Sequence, residues 1–323
     1  MTRRVPYGAG VVDLSARSYQ ESDNAAVTDL FNLADVHAGG RAGYVASDTT
    51  ALVSTLVGDT TTDTTLRWAP DGSLAAVAMV LTPPSGGYRV DLPGAVHPRW
   101  RGEGLGRELM AWQLARAGEL HRAAGSPDTW RVDASAVSTD EDALRLYRRF
   151  DLSPTRYWFD MVASTAEPPA LDLPAGLRVV AYRPDLRDAV YAAHQDAFAD
   201  HWGYQYRTAD EWIPLTIGSD SFLPELSVVA LDGDELAGYV LSYSDADPTR
   251  LYVGHVGVRR PWRRRGLAAS LLAVVLAEGG RAGMTTAGLG VDADSPTGAV
   301  GVYERVGFAV EYQEVTYSAP VAG

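Results

Sequence analysis

Residues Val256–Leu272 read V-G-V-R-R-P-W-R-R-R-G-L-A-A-S-L-L. An apolar, β-branched run from Leu251 to Val258 leads in, an arginine-crowded turn with Pro261 follows, and a helical pattern opens at Gly266 and Ala268. The order predicts strand, turn, helix. The first N–H groups of a helix have no internal partner, and the helix dipole favours negative charge there. A helix start approached through small and basic residues is therefore an anion site. Gly266 and Ala268 let a phosphate approach the backbone, and Arg263, Arg264 and Arg265 add charge.

The stretch has an earlier copy. Val96–Leu109 reads V-H-P-R-W-R-G-E-G-L-G-R-E-L, with Arg101, Gly104 and Gly106 where the later copy has Arg263, Gly266 and Ala268, 162 residues on. A second correspondence follows: L-Y-R-R-F around Tyr147 and V-Y-E-R-V-G-F around Tyr303, 156 residues apart. Two ordered matches at similar spacing imply duplication of a domain of about 150 residues.

A strand, then R-x-x-G-x-G/A, then a helix, with L-Y-x-x-x-G-F some forty residues later, resembles the GNAT superfamily of acetyl-CoA-dependent N-acetyltransferases. The tandem arrangement is similar to mycothiol-synthase-like two-domain members. The resemblance covers nearly the whole chain and is most specific from Leu251 to Phe308. It implies an α/β (α+β) fold of two tandem domains, each a mixed, mostly antiparallel sheet flanked by helices and splayed at its middle strands. It implies acetyl-CoA as cosubstrate and no metal.

Composition agrees with an enzyme of small molecules. The chain has 323 residues and a net charge of −13, which disfavours nucleic acid as a partner and would attract a cationic amine. It has no cysteine, so disulfides, thiolate catalysis and Cys-zinc sites are excluded. It also has no lysine, which removes Walker-type nucleotide hydrolysis and Schiff-base chemistry. The N-terminus lacks the apolar segment of a secretory signal, and Leu267–Ala277 is too short to span a bilayer. The expectation is a cytoplasmic monomer or homodimer without a membrane partner.

Periodicity and turn signals place an N-terminal domain at 1–165, a proline-rich linker at 166–176 and a C-terminal domain at 177–323. Pro93 and Gly94 interrupt the first domain's central strand, and F-D-L at Phe150–Leu152 replaces V-G-F, so catalysis is expected in the second domain. The first keeps a second cofactor site at Arg101, Gly102, Gly104, Gly106 and Tyr147, or a structural role.

Carried over from the resemblance, the thioester carbonyl would meet the strand Val256, Gly257, Val258. The diphosphate would meet Arg263, Arg264, Arg265, Gly266, Leu267 and Ala268. Ser295, expected to cap a helix opening at Pro296, stands where the family often has Asn. Tyr303 is the candidate general acid, since a phenol is protonated at neutral pH and can donate to a leaving thiolate. The family's strand glutamate, six residues before the last Val of V-x-V, is here Tyr252, a poor base. His255, expected on the opposite strand face, is a further catalytic candidate. Asp200, His201, Trp202 and Glu211 lie where the family shapes its acceptor pocket. The expected activity is direct transfer of an acetyl group to a primary amine of a small molecule. The alternative is a non-catalytic CoA-binding or scaffold protein. A dinucleotide site is disfavoured, because no acidic residue stands at a strand end about twenty positions after the loop.

Overall fold

The computed structural model describes residues 2–7 and 10–321, with side chains from Asp13 onward. In chain order the first elements are β1 (Thr2–Tyr7), β2 (Gly10–Arg17), α1 (Asn24–His37), α2 (Ala46–Leu56), α3 (Thr60–Asp63), β3 (Thr64–Trp68), β4 (Leu74–Met79), β5 (Arg89–Asp91), β6 (Gly94–Val96), α4 (Leu105–Ala124), β7 (Arg131–Val137), α5 (Glu141–Arg149) and β8 (Ser153–Ser164). Then come β9 (Leu177–Ala181), α6 (Arg187–Phe198), α7 (Ala209–Trp212), β10 (Val228–Asp232), β11 (Glu235–Ser244), β12 (Arg250–Val258), α8 (Leu267–Arg281), β13 (Thr286–Asp292), α9 (Ala299–Arg305) and β14 (Ala309–Pro320).

Two compact units result, Met1–Arg156 with Glu314–Gly323, and Tyr157–Gln313. The division differs from one at 166–176 because β8 and β14 are long. The end of β14 pairs with β7 in unit 1, and Trp158–Ser164 of β8 pairs with β13 in unit 2. Local hydrophobic patterns mark strands but not which partner a long strand finds.

In unit 2 the strand order is β8–β13–β12–β11–β10–β9. The β12–β13 pair is parallel and its neighbours are antiparallel. α8 is apolar nearly all round, and it is buried accordingly: Leu267, Leu271, Leu272, Val275 and Leu276 pack on Leu251, Val253, Ala287, Leu289 and Val291. Each large side chain so buried contributes about 1.5–3 kcal/mol. The opposite sheet face takes α6 through Val190 and Ala193 against Tyr239, Leu241 and Tyr243.

Unit 1 runs β1–β2–β3–β4–β6, with β5 parallel to β7 and the end of β14 antiparallel to β7. α4 packs Leu105 and Leu109 on Ala76 and Ala78. The expected interruption of its central strand is observed: β5 and β6 are its two pieces, separated at Pro93.

One expected helix start is corrected. The helix after β13 opens at Ala299, not Pro296. Gly298, at φ 68°, takes the left-handed conformation just before it, and the Ser295 hydroxyl bonds the Thr297 hydroxyl at 2.9 Å instead of capping a helix.

Candidate active site

The two parallel strands of unit 2 share a ladder only over Arg250–Tyr252 with Thr286–Gly288. Beyond Tyr252 the pairing of β12 continues with β11 alone. Arg259 N–H donates to the Ala237 carbonyl at 3.0 Å, and strand amides alternate in direction. The amides of Val256 and Val258 therefore point away from β11, along the open side of β12. The expected carbonyl-binding segment keeps two donors there.

The turn after β12 is held by Trp262, buried and donating its indole N–H to Asp232 at 2.9 Å. Gly266 precedes α8 at φ 84° and offers no side-chain cap, so the first amides, from Leu267 and Ala268 on, are unspent. The three arginines divide. Arg263 is committed to the fold, donating to the carbonyls of Val258 (3.1 Å) and Ala197 (3.1 Å) and to Asp200 (3.3 Å). Arg265 donates to the Ala175 carbonyl at 3.3 Å. Arg264 is exposed and sits at φ 60°, a left-handed conformation rare for a residue with a Cβ.

The face of the sheet away from α8 is set by a bulge. Tyr243 pairs with Tyr252 and Leu241 with His255, and the register shifts between Leu241 and Ser242, so Gly254 is the extra residue. Tyr243 and Leu241 share a face. Tyr252 and His255 therefore share it too, rather than opposing each other as simple alternation predicted. Gly254 and Gly257 lie so close under the Tyr243 and Tyr239 rings that a Cβ at either would sit 2.5 or 2.4 Å from ring carbon. The rings' hydroxyls engage two histidines: Tyr243 with His255 Nδ1 at 3.1 Å and Tyr239 with His194 Nδ1 at 2.9 Å. Burial holds His255 down to about 4. His194 is held down to about 3, by burial first and by His255 and His201 next. Both imidazoles are neutral at neutral pH.

The expected acceptor residues separate. Asp200 accepts from Arg260 (2.9 Å) and Arg263, which keep its carboxyl below the usual range. Glu211 accepts from the backbone and hydroxyl of Thr208 and caps α7. His201 stacks on Trp158 with ring centroids 6.2 Å apart, and Trp202 meets the same ring edge-on at 6.1 Å. Sequence reasoning missed Trp158, His194, Tyr239 and Tyr243. Glycines at 254 and 257 inside a strand were the available sign that bulky rings approach its backbone.

Tyr303 lies on α9 and packs against Phe308 and the α8 core. Burial raises its phenol to about 12. Its hydroxyl has no hydrogen-bond partner among the described residues.

Unit 1 repeats the loop and the open strand edge. His97 N–H donates to Ala75 at 2.9 Å, so Gly94 and Val96 turn their amides the other way. The missing N–H of Pro93 falls on the β4 side. The Met79 carbonyl, left without it, accepts from the buried Gln113 amide at 2.8 Å. Proline thus breaks the strand without removing donors from the open side, contrary to the expectation that it disables that edge. A cavity of 440 Å³ lies there, lined by Val96, Gly104, Gly106, Ser135 and Arg149 among others. Arg101 is held bidentately by Asp140 at 3.0 and 3.1 Å, and the Tyr147 hydroxyl donates to the Ser135 carbonyl at 2.9 Å.

A splayed mixed sheet, an amide-rich helix start beside it and a buried phenol define a fold and site suited to acyl transfer. The comparisons agree. Residues 187–308 match the acetyltransferase (GNAT) family. The mycothiol acetyltransferase of Streptomyces scabiei (strain 87.22) is 33% identical over 234 residues, covering 71% of this chain and 72% of that protein. The GCN5-related N-acetyltransferase from Sphaerobacter thermophilus superposes with a TM-score of 0.78 at 29% identity, over 96% of each chain. The tandem GNAT protein from the clavulanic acid biosynthesis pathway shares the fold, at a TM-score of 0.68 and 18% identity, covering 96% of this chain and 99% of that one. The chain belongs to the GNAT family of acetyltransferases. It is an acyltransferase.

Proposed function

We propose that unit 2 moves an acetyl group from acetyl-CoA to a primary amine of a small molecule, by direct transfer in a ternary complex. The observation that carries this reading is the Tyr303 phenol. It is protonated and has no hydrogen-bond partner among the described residues, in a unit that carries both the anion loop and the open strand edge. In this reading the unspent amides after Gly266, with Arg264, hold the diphosphate. The amides of Val256 and Val258 stabilise the oxyanion that develops on the thioester carbonyl. Tyr303 gives its proton to the departing thiolate. Tyr252 and His255 line the acceptor side. Unit 1 holds the same cosubstrate against Arg101, Gly104 and Gly106 without turning it over, since its phenol is already spent on Ser135.

The test is thiol release from acetyl-CoA over a panel of amino sugars, polyamines and amino acids, with acetylated product quantified in parallel. Amine-dependent release matched by product supports the reading. CoA binding with no release for any amine leaves a non-catalytic CoA-binding protein.

A further inference from the structure

The two units fill one and the same place in their folds differently. Their strands correspond: Arg259 N–H donates to the Ala237 carbonyl as His97 N–H does to Ala75. Tyr239, paired with Gly257, therefore matches Val77, paired with Ala95. Their first long helices correspond as well. α1 opens at Asn24 and α6 at Arg187, and Val27 and Leu30 are buried as Val190 and Ala193 are. Counted from those starts, His194, Phe198 and His201 match Phe31, Asp35 and Ala38.

In unit 2 these positions form a plug of rings against the sheet. The Tyr239 ring covers Gly257, and its hydroxyl bonds His194. Phe198 stacks on His194 with ring centroids 4.3 Å apart and meets His201 at 5.6 Å. In unit 1 a valine stands for the tyrosine, and an aspartate and an alanine stand for Phe198 and His201. Phe31 keeps a ring but packs it on Tyr44, at 5.9 Å. Open space is the result. Val77, Ala95, Asp35 and Ala38 all line the 440 Å³ cavity, joined by Ala34 and Leu92.

We propose that this cavity takes an aliphatic acyl chain longer than acetyl, carried on coenzyme A, so that the two units differ in the acyl group they hold. This rests on the reading above that unit 1 binds the coenzyme at its anion loop. The cavity is continuous with that loop, since Arg101, Gly104 and Gly106 also line it. Ala95 lies between Gly94 and Val96, whose amides face the open strand edge, and Val77 is its partner on β4. The wall at positions 34, 38, 77, 92 and 95 is aliphatic, and burying methylenes against such a wall is favourable. Asp140 and Asp142, beside the loop, are already matched by Arg101 and Arg145.

The experiment is calorimetric titration of the full chain with acetyl-CoA and with hexanoyl-CoA. Hexanoyl-CoA should bind one of two sites about 10–100-fold more tightly than acetyl-CoA does, the gain from a few buried methylenes. The ring plug is then transplanted into unit 1 in two ways. The first is Val77→Tyr with Ala95→Gly, because a Cβ under the tyrosine ring would clash as one at Gly257 would. The second is Ala38→His, at the half-buried end of α1. Each should remove most of the gain for hexanoyl-CoA and leave acetyl-CoA affinity within threefold. Where the buried pair of changes costs acetyl-CoA binding too, Ala38→His decides. Hexanoyl-CoA no tighter than acetyl-CoA at either site overturns this inference alone, and so does a gain that survives both transplants. A single site, the same for both esters and untouched by either transplant, defeats the reading that unit 1 holds the coenzyme, and this inference with it.

Discussion

The tyrosine that follows each anion loop is buried in both units, yet the two hydroxyls have different fates. Tyr147 donates to the Ser135 carbonyl, whereas Tyr303 has no partner among the described residues. The loops differ in the same sense. Position 102 is a left-handed glycine at φ 82°, and its counterpart 162 residues on is Arg264 at φ 60°. After the tyrosine the exchange reverses, with Asp151 at φ 59° where the later copy has Gly307 at φ 97°. Backbone geometry is retained in both copies while the side chains on it diverge. Among the described residues, the Tyr147 hydroxyl of unit 1 has a protein acceptor, whereas the Tyr303 hydroxyl and the Arg264 guanidinium of unit 2 have no hydrogen-bond or ion-pair partner. A buried hydroxyl without a protein partner costs stability unless a ligand pairs it, so the Tyr303 phenol is where this contrast is open to test.

The largest test of that contrast is the tyrosine pair. Tyr303→Phe should lower kcat by about 10²–10⁴-fold with CoA affinity nearly unchanged. Tyr147→Phe should leave kcat alone and cost unit 1 about 1 kcal/mol through the lost hydrogen bond. Steady-state kinetics and calorimetry on both variants decide it. Equal effects would dissolve the distinction between the units. Burial holds the Tyr303 phenol protonated until the pH nears about 12, so kcat should show no loss from this group below pH 10.

Acid should separate the units next. His194 and His255 bind protons in the unfolded chain near pH 6.5 but in folded unit 2 only near 3 and 4. Their contribution is present above pH 6.5 and lost as pH falls below it, at about 1.4 kcal/mol per pH unit for each. Hydrogen exchange between pH 7 and 5 should therefore show unit 2 losing protection. His194→Gln keeps a partner for Tyr239 without titrating, and should flatten that slope.

Much of this was legible beforehand, and what was not has a common cause. R-x-x-G-x-G/A and the strand before it are local, so the loop, α8 and the reach of β12 could be read from Leu251 to Glu278. The placement of Tyr303 on a helix after the loop was legible because a duplicated chain carries its own comparison. The partners of β8 and β14 were not, since pairing over more than a hundred residues leaves no local trace. Nor was the shared face of Tyr252 and His255, because one bulged residue at Gly254 inverts every alternation after it. Asp200 looked like an acceptor group, yet arginines sixty residues away claim it.

A middle-sized effect tests the claim that unit 1 keeps its open edge despite proline. Gln113 donates to the carbonyls of both Met79 and Pro93. Gln113→Ala leaves the buried Met79 carbonyl unpaired and should cost unit 1 about 1–3 kcal/mol. CoA stoichiometry by calorimetry should fall from two toward one. Turnover in unit 2 should remain.

The smallest expected effect bears most directly on the exchange between the loops. A left-handed residue with a Cβ is strained by about 1–2 kcal/mol, and glycine gives back roughly 0.5–1 kcal/mol of that in chain entropy. Arg264→Gly should thus raise the melting temperature of unit 2 by about 2–4 °C. It should weaken CoA binding by about threefold, as befits an exposed charge on a phosphate. Gly102→Arg should do the reverse in unit 1, lowering its melting temperature while tightening its hold on CoA. Opposite signs for stability and affinity in each variant are what a strained, ligand-facing arginine requires. Were Arg264→Gly to stabilise the unit and leave affinity untouched, the strain would stand and its link to the phosphate would fail. Were it to do neither, position 264 would be an ordinary turn residue, and the difference between the two loops would reduce to Tyr147 and Tyr303.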